Sequence, residues 1–216
     1  MPALIPLDPA TLPDIATLRQ RAKALAMLDA IVSPEWEYRY FSYNASWFDG
    51  EEMASMRNGS GDEWFVHFGP FGAAIKGIAH ESPLAGDSRL VEAVQQQVPP
   101  AFAAFLNEAA FSMDWLSYCY WRSPDDAAWQ KVAAPNVTTD HLDDGSAEFL
   151  ALLIEPASGY VEFAQWYYEQ AVPLAAVQQL YDHTPLTADL VAALNPQLDF
   201  AEAVASAVET GYPCAG

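Results

Sequence analysis

EWFVHFGPFGAAIKGIAH, residues 63–80, is two runs of strand-favouring residues around the four-residue connection Gly69–Pro70–Phe71–Gly72. Runs of this length joined by a short Gly- and Pro-bearing loop form an antiparallel hairpin. Pairing across the loop sets Phe68 opposite Ala73, Val66 opposite Ile75 and Trp64 opposite Gly77, so one face is apolar. The other face carries Glu63, Phe65 and His67 beside Ala74, Lys76 and Ile78, a mixture expected to be partly wet. The preceding NGSGD (58–62) reads as a turn. A phosphate loop needs its glycines between a strand and a helix, where free amides face the anion. Here the glycines lead into a strand, beside Asp62 and Glu63, which would repel phosphate.

Upstream, Ile15, Leu18, Ala22, Leu25 and Leu28 recur at helical spacing. The spacing predicts a helix starting near Thr11, with Asp14 as its capping partner and Pro34 closing it. EWEYRYFSY (35–43) alternates Trp36, Tyr38 and Tyr40 against Glu35, Glu37 and Arg39, the pattern of a half-buried strand. GEEMASMR (50–57) reads as one or two helical turns. Downstream come helical segments near 89–97 and 100–107, then WLSYCYW (115–121), a buried aromatic strand.

Near residue 135 the texture changes to short helices punctuated by Pro and Gly. Tyr160, Phe163, Ala164 and Tyr167 share one helical face. Pro173, Pro185 and Asp199 open three more helices, Asp199 with Glu202 as reciprocal cap, and Gly211 ends the last one. The expected fold is therefore α+β, in one domain over 1–216. It comprises an N-terminal helix, a central antiparallel sheet (near 35–43, 63–68, 73–80 and 115–122, within a sheet-rich 35–122) and a C-terminal helical layer (145–211) on one face of the sheet.

Charge limits the function. Twenty-nine Asp and Glu against nine Lys and Arg give a net charge of −20, which repels nucleic acid and anionic membrane surfaces. The 85 residues from Val132 onward carry 12 acids and no Lys or Arg. No apolar run approaches the ~18–20 residues a bilayer span needs, and MPALIPLDPATLPD lacks the basic end of a signal peptide, so the expected location is the cytoplasm. In a reducing compartment Cys119 and Cys214 are expected to be free thiols, Cys119 walled by indoles and inert.

Candidate chemistry is sparse. His67 and His80 share a hairpin face, but His67 lies opposite Ala74, six residues from His80, about 20 Å away at ~3.3 Å per residue. One zinc ion needs ligands at ~2 Å, so no metal site is expected from this pair. DHLDDG (140–145) lacks the spacing of a calcium loop, and Asp140, Asp143 and Asp144 read as caps of the following helix. No GxSxG, SxxK or nucleotide-binding glycine motif is present, and no cofactor is implied. Arg57, Asp62, Glu63 and His80 cluster around the glycine turn beside aromatics, the setting of a small-molecule hydrolase pocket with His80 as proton carrier.

The second candidate is electrostatic. Glu148, Glu155, Glu162 and Glu169 recur every seven residues, as do Glu202 and Glu209, so each short helix is expected to show a carboxylate stripe, even though Pro156 and Gly159 prevent one continuous helix. Soluble surfaces usually intersperse both signs, and a one-sign field suits the capture of a basic protein.

WFDGEEMASMRNGSGDEWFVHF (47–68), GAAIKGIAHESP (72–83) and PLTADLVAALNPQLDFAEAVASAVETGYP (185–213) resemble a family of bacterial cytoplasmic proteins. In size and acidity that family is similar to the immunity proteins of toxin systems. The resemblance implies a single module spanning both halves, and no catalytic residue comes with it. The first expectation for function is a non-enzymatic module that occludes a basic effector; the alternative is the hydrolase.

Overall fold

A computed structural model describes residues 5–133 and 142–215. The architecture is α+β: an N-terminal helix, a six-stranded antiparallel sheet and C-terminal helices. The strands lie in sequence order, β1 (Phe41–Phe48), β2 (Glu51–Arg57), β3 (Glu63–Gly69), β4 (Gly72–Ile78), β5 (Tyr118–Arg122) and β6 (Gln130–Lys131). The chain forms two compact units, Met1–Ile15 with Ser55–Ile154, and Ala16–Ala54 with Glu155–Gly216, the boundary falling inside β2. Among the described residues no helix is long and apolar enough to cross a membrane.

The first unit is built on the hairpin. β3 and β4 pair in the register read from the loop, with Phe68 opposite Ala73, Val66 opposite Ile75 and Trp64 opposite Gly77. β5 continues the sheet, Tyr118 opposite Gly77 and Cys119 opposite Lys76. Gly77 is required here: a Cβ at this position would stand 1.9 Å from the Tyr118 ring. The face expected to be partly wet is covered. Phe65, His67 and Lys76 are all buried. Phe65 stacks on Phe111, and His67 lies edge-on to Phe111 and Phe71. Phe71 comes from the hairpin connection itself, and the other rings come from the segment after α2 (Ser88–Gln97), where α3 (Ala103–Leu106) and its flanking turns deliver Phe102, Phe105 and Phe111. The opposite face is tied down by Trp64, whose indole N–H donates to the Phe149 carbonyl of α4 (Ser146–Phe149), and by Tyr120, whose hydroxyl donates to Leu7 O at 2.8 Å. A short helix, α5 (Ala151–Ile154), closes the unit.

The second unit is organised by α1 (Ile15–Val32). It starts four residues after the expected Thr11, because Pro9–Thr11 instead form a 3-10 turn capped by Asp8. From Ala24 to Val32 every residue of α1 is buried, including Asp29. Side chains take up the carbonyls at its end: Asn195 donates to Ile31 O, Gln170 to Val32 O, and Arg39 to Ser33 O and Pro34 O. Asp29 accepts the backbone N–H of Phe41 at 2.6 Å and the hydroxyls of Tyr160 and Tyr168, each at 2.7 Å.

These bonds correct two expectations. Residues 35–40 are not a strand: Trp36–Tyr38 form a 3-10 turn with both rings exposed, because Arg39 folds back on Ser33 and Pro34, and Asp29 holds the strand start at Phe41. Residues 51–57 are strand and not helix, joined to β1 by Asp49–Gly50 with Gly50 at φ +73°.

The C-terminal helices follow the reading more closely. α6 (Ala157–Tyr167) buries Ala157, Tyr160 and Ala164. α7 (Leu174–Tyr181) starts after Pro173, and α9 (Phe200–Thr210) is capped by Asp199 and ended by left-handed Gly211. α8 (Ala188–Leu194) starts after Thr187 and not at Pro185, since the Thr187 hydroxyl accepts from Leu190 N–H and Leu186 pairs with Cys214. α9 packs on β1, where a Cβ at Gly211 would meet Ala45.

Candidate functional site

Asn58 shapes the glycine turn. Its side-chain oxygen accepts from Ser60 N–H and Asp62 N–H, its amide donates to Asp62 Oδ2 at 2.6 Å, and Gly59 and Gly61 supply the positive φ angles. The register that pairs Glu63 with Ile78 then brings Asp62 to the strand end that His80 leaves. Asp62 Oδ1 accepts the His80 backbone N–H at 2.8 Å and stands 2.7 Å from His80 Nδ1. Burial pushes Asp62 up, but the His80 N–H, the His80 ring and Asn58 together outweigh it and hold the carboxyl below the usual range. The same hydrogen bond raises His80 above an ordinary histidine.

This pair borders a cavity of about 300 Å³, whose lining includes Glu81, Ser82, Asp143 and Glu148. The cap position of α4 is not the expected Asp143 or Asp144 but Gly145, in the left-handed region, with no side-chain cap bond; the two aspartates instead close turns just before it, Asp143 accepting from Gly145 N–H and Asp144 from Ser146 N–H. Asp140 lies outside the described residues. Glu148 is raised by burial and then by the charges of Asp143 and Asp62. The cavity thus has four carboxylates, one imidazole and no Lys or Arg in its lining.

Chemically, Asp62 orients the imidazole through Nδ1 and leaves Nε2 as the nitrogen able to exchange a proton. Ser82 is not set up as a nucleophile: its hydroxyl donates to Asp143 O at 2.8 Å and accepts from Leu84 N–H at 3.1 Å. Glu63 and Arg57 do not line the cavity. Glu63 stands 3.2 Å from the buried Lys76 Nζ and 3.7 Å from Arg57 Nε, a separate ion group. The structure therefore brings His80 and Asp62 together, adds Glu148, Asp143 and Glu81, and sets Glu63 and Arg57 apart. Among the described residues no three His, Cys, Asp or Glu are grouped to hold a metal ion. Both cysteines are free, and burial pushes the Cys119 thiol up to about 12.

The six glutamates are all exposed. They do not form a stripe on each helix. Glu155 sits in the link between α5 and α6, and Glu169 lies beyond α6 with φ +55°. Glu148 and Glu162 are each the single acid of their helix. Only α9 shows the expected arrangement, Glu202 and Glu209 being seven residues apart, two turns, on one side.

The nine cations make their short contacts elsewhere, and of the six glutamates Glu209 acts on one of them, Arg39, through its charge. Arg19 and Lys23 pair with Glu52, Arg57 and Lys76 with Glu63, Arg89 with Asp87 and Lys131 with Asp144. Arg21, Arg39 and Arg122 donate to the backbone carbonyls of Glu155, of Ser33 and Pro34, and of Asp126. Every Lys and Arg of the chain is thus engaged, and among the described residues none of the six glutamates has an ion-pair partner.

No family model, curated protein or solved structure matches the chain. The chemistry of its own residues therefore carries the assignment.

Proposed function

We propose that the protein is a cytoplasmic, non-enzymatic binding module for a basic protein, acting as an immunity-type antitoxin that occludes its effector. The observation that carries this is the internal engagement of the nine cations, which leaves Glu148, Glu155, Glu162, Glu169 and Glu202 exposed with no ion-pair partner among the described residues, and Glu209 exposed with only the charge of Arg39 acting on it from beyond ion-pair distance. Exposed carboxylates without basic neighbours steer an oppositely charged partner and speed encounter. The His80 cavity fits the same role, since its carboxylates favour a cationic side chain.

The experiment is capture of partners from the native host, followed by salt titration and by replacement of the six glutamates with glutamine. Binding is expected to weaken steeply between about 0.1 M and about 1 M salt, as the screening length falls from ~10 Å to ~3 Å, and to be lost in the glutamine variant. Absence of any partner, or binding indifferent to salt, overturns the proposal.

A second reading is favoured by one observation, the oriented Asp62–His80 pair at the edge of a cavity. On this reading the cavity takes a small molecule, and His80 Nε2 serves as general base toward water in a hydrolase. A His80→Gln change that leaves every hydrolytic activity of the purified protein unaltered removes it.

A further inference from the structure

We infer that the groove beside Trp166 is where the basic partner docks, and that it takes an apolar side chain from a segment flanked by Lys or Arg. The inference rests on the protein-binding proposal and narrows it to one place. The groove has a volume of about 390 Å³ and is lined by Val161, Glu162, Gln165, Trp166, Ala171 and Val172. Its walls follow from the local chain. Glu162 and Trp166 are one helical turn apart on α6 and so share a side. The left-handed Glu169 then reverses the backbone, Gln170 N–H donates to Ala164 O at 3.1 Å, and Ala171 and Val172 come back to form the other wall.

Two properties specify the occupant. The first is apolar: Trp166 is 76% exposed, matched among the large hydrophobic side chains of the described residues only by Val208, and it stands at a concavity with two valines. An exposed tryptophan at a pocket is the side chain most enriched among residues that dominate binding energy. The second is charge. Glu162 is the one ionisable residue of the lining, Glu169 follows three residues after Trp166, and no Lys or Arg occurs anywhere from Val132 onward. A purely apolar or acidic segment would leave these carboxylates facing nothing or facing repulsion. A cation beside the apolar anchor pairs with Glu162 and can also lie over the indole face.

The test uses the full chain and three synthetic peptides: one alternating leucine with arginine, one with serine in place of the leucines, and one with glutamate in place of the arginines. Backbone and indole resonances are followed by NMR during titration, for the wild type, Trp166→Ala and Glu162→Gln. Because Trp166 is exposed, its replacement leaves the fold intact. The Leu/Arg peptide is expected to shift the Trp166 indole and the amides of 161–172. Its binding should weaken on the order of tenfold or more in Trp166→Ala, and severalfold in Glu162→Gln. The serine and glutamate peptides should each bind at least tenfold more weakly. Equal binding of the leucine and glutamate peptides overturns the inference, as does a Trp166-dependent dimer of the free chain by sedimentation. Salt-sensitive binding that maps to Glu202 and Glu209 and ignores Trp166→Ala overturns the inference while leaving the binding proposal standing. Failure of every cationic peptide to bind anywhere overturns both.

Discussion

Replacing Asp29 by asparagine is expected to abolish a pH dependence of stability that the wild type shows between about pH 4 and pH 6. Asp29 is fully buried on α1, and burial pushes its carboxyl up to about 6 despite the hydrogen bonds from Phe41, Tyr160, Tyr168 and Tyr40 that favour the charged form. The folded state therefore binds the proton more tightly than the unfolded chain, whose carboxyl titrates near ~3.9. The sign follows: stability is fully present below about pH 4 and is lost as the pH rises through about 6. At ~1.4 kcal/mol per tenfold, the loss attributable to Asp29 is about 3 kcal/mol. The remaining carboxylates titrate in wild type and variant alike, so the difference between the two isolates Asp29. Asparagine keeps the shape and an acceptor for the Phe41 N–H, whereas Asp29→Ala strands two buried donors, Phe41 N–H and the Tyr160 hydroxyl, at roughly 1–3 kcal/mol each, and frees the half-buried Tyr168 hydroxyl. Urea unfolding of the three proteins from about pH 4 to pH 7.5 measures both effects. A wild-type-minus-asparagine difference that stays constant over this range, or an alanine variant as stable as the asparagine one, refutes the argument.

Other expectations are local. Asp62→Asn should lower the pH at which His80 titrates, because the Asp62 hydrogen bond is the largest cause holding it up; ring resonances followed against pH check this. Gly77→Ala should cost roughly 1–3 kcal/mol through collision with the Tyr118 ring, and a Gly77→Ala/Tyr118→Ala double variant should show less than the summed loss in urea unfolding. Thiol reagents should modify exposed Cys214 and spare Cys119 until the protein unfolds, read by intact mass.

The β3–β4 register was legible because Gly69–Pro70–Phe71–Gly72 leaves little choice of pairing, and that register already placed Asp62 near His80. The covering of its second face was not, since Phe102, Phe105 and Phe111 lie more than twenty residues beyond the hairpin and nothing local announces them. Asp49–Gly50 did announce the β1–β2 turn, but Glu51, Glu52, Met53 and Met56 favour helix and obscured it. The alternation of EWEYRYFSY imitated a strand, whereas its conformation is set by Arg39 and by Asp29, contacts that no periodicity encodes. Glu148 and Asp143 reached the His80 cavity from a segment about sixty residues downstream. The seven-residue glutamate spacing had geometric meaning only within an unbroken helix, which α9 provides and the stretch from Glu148 to Glu169 does not.

The second compact unit is made of two chain segments that enclose most of the first in sequence. During synthesis α1 is complete long before its partners exist, since Tyr160 and Tyr168 follow Asp29 by 131 and 139 residues. A nascent chain released or stalled near residue 150 thus carries a helix whose apolar C-terminal half holds a lone carboxylate in its last turn, with neither tyrosine hydroxyl present to donate to it. Premature termination is expected to yield a sticky fragment and not a smaller working protein, so selection acts on the two ends of the gene as one piece.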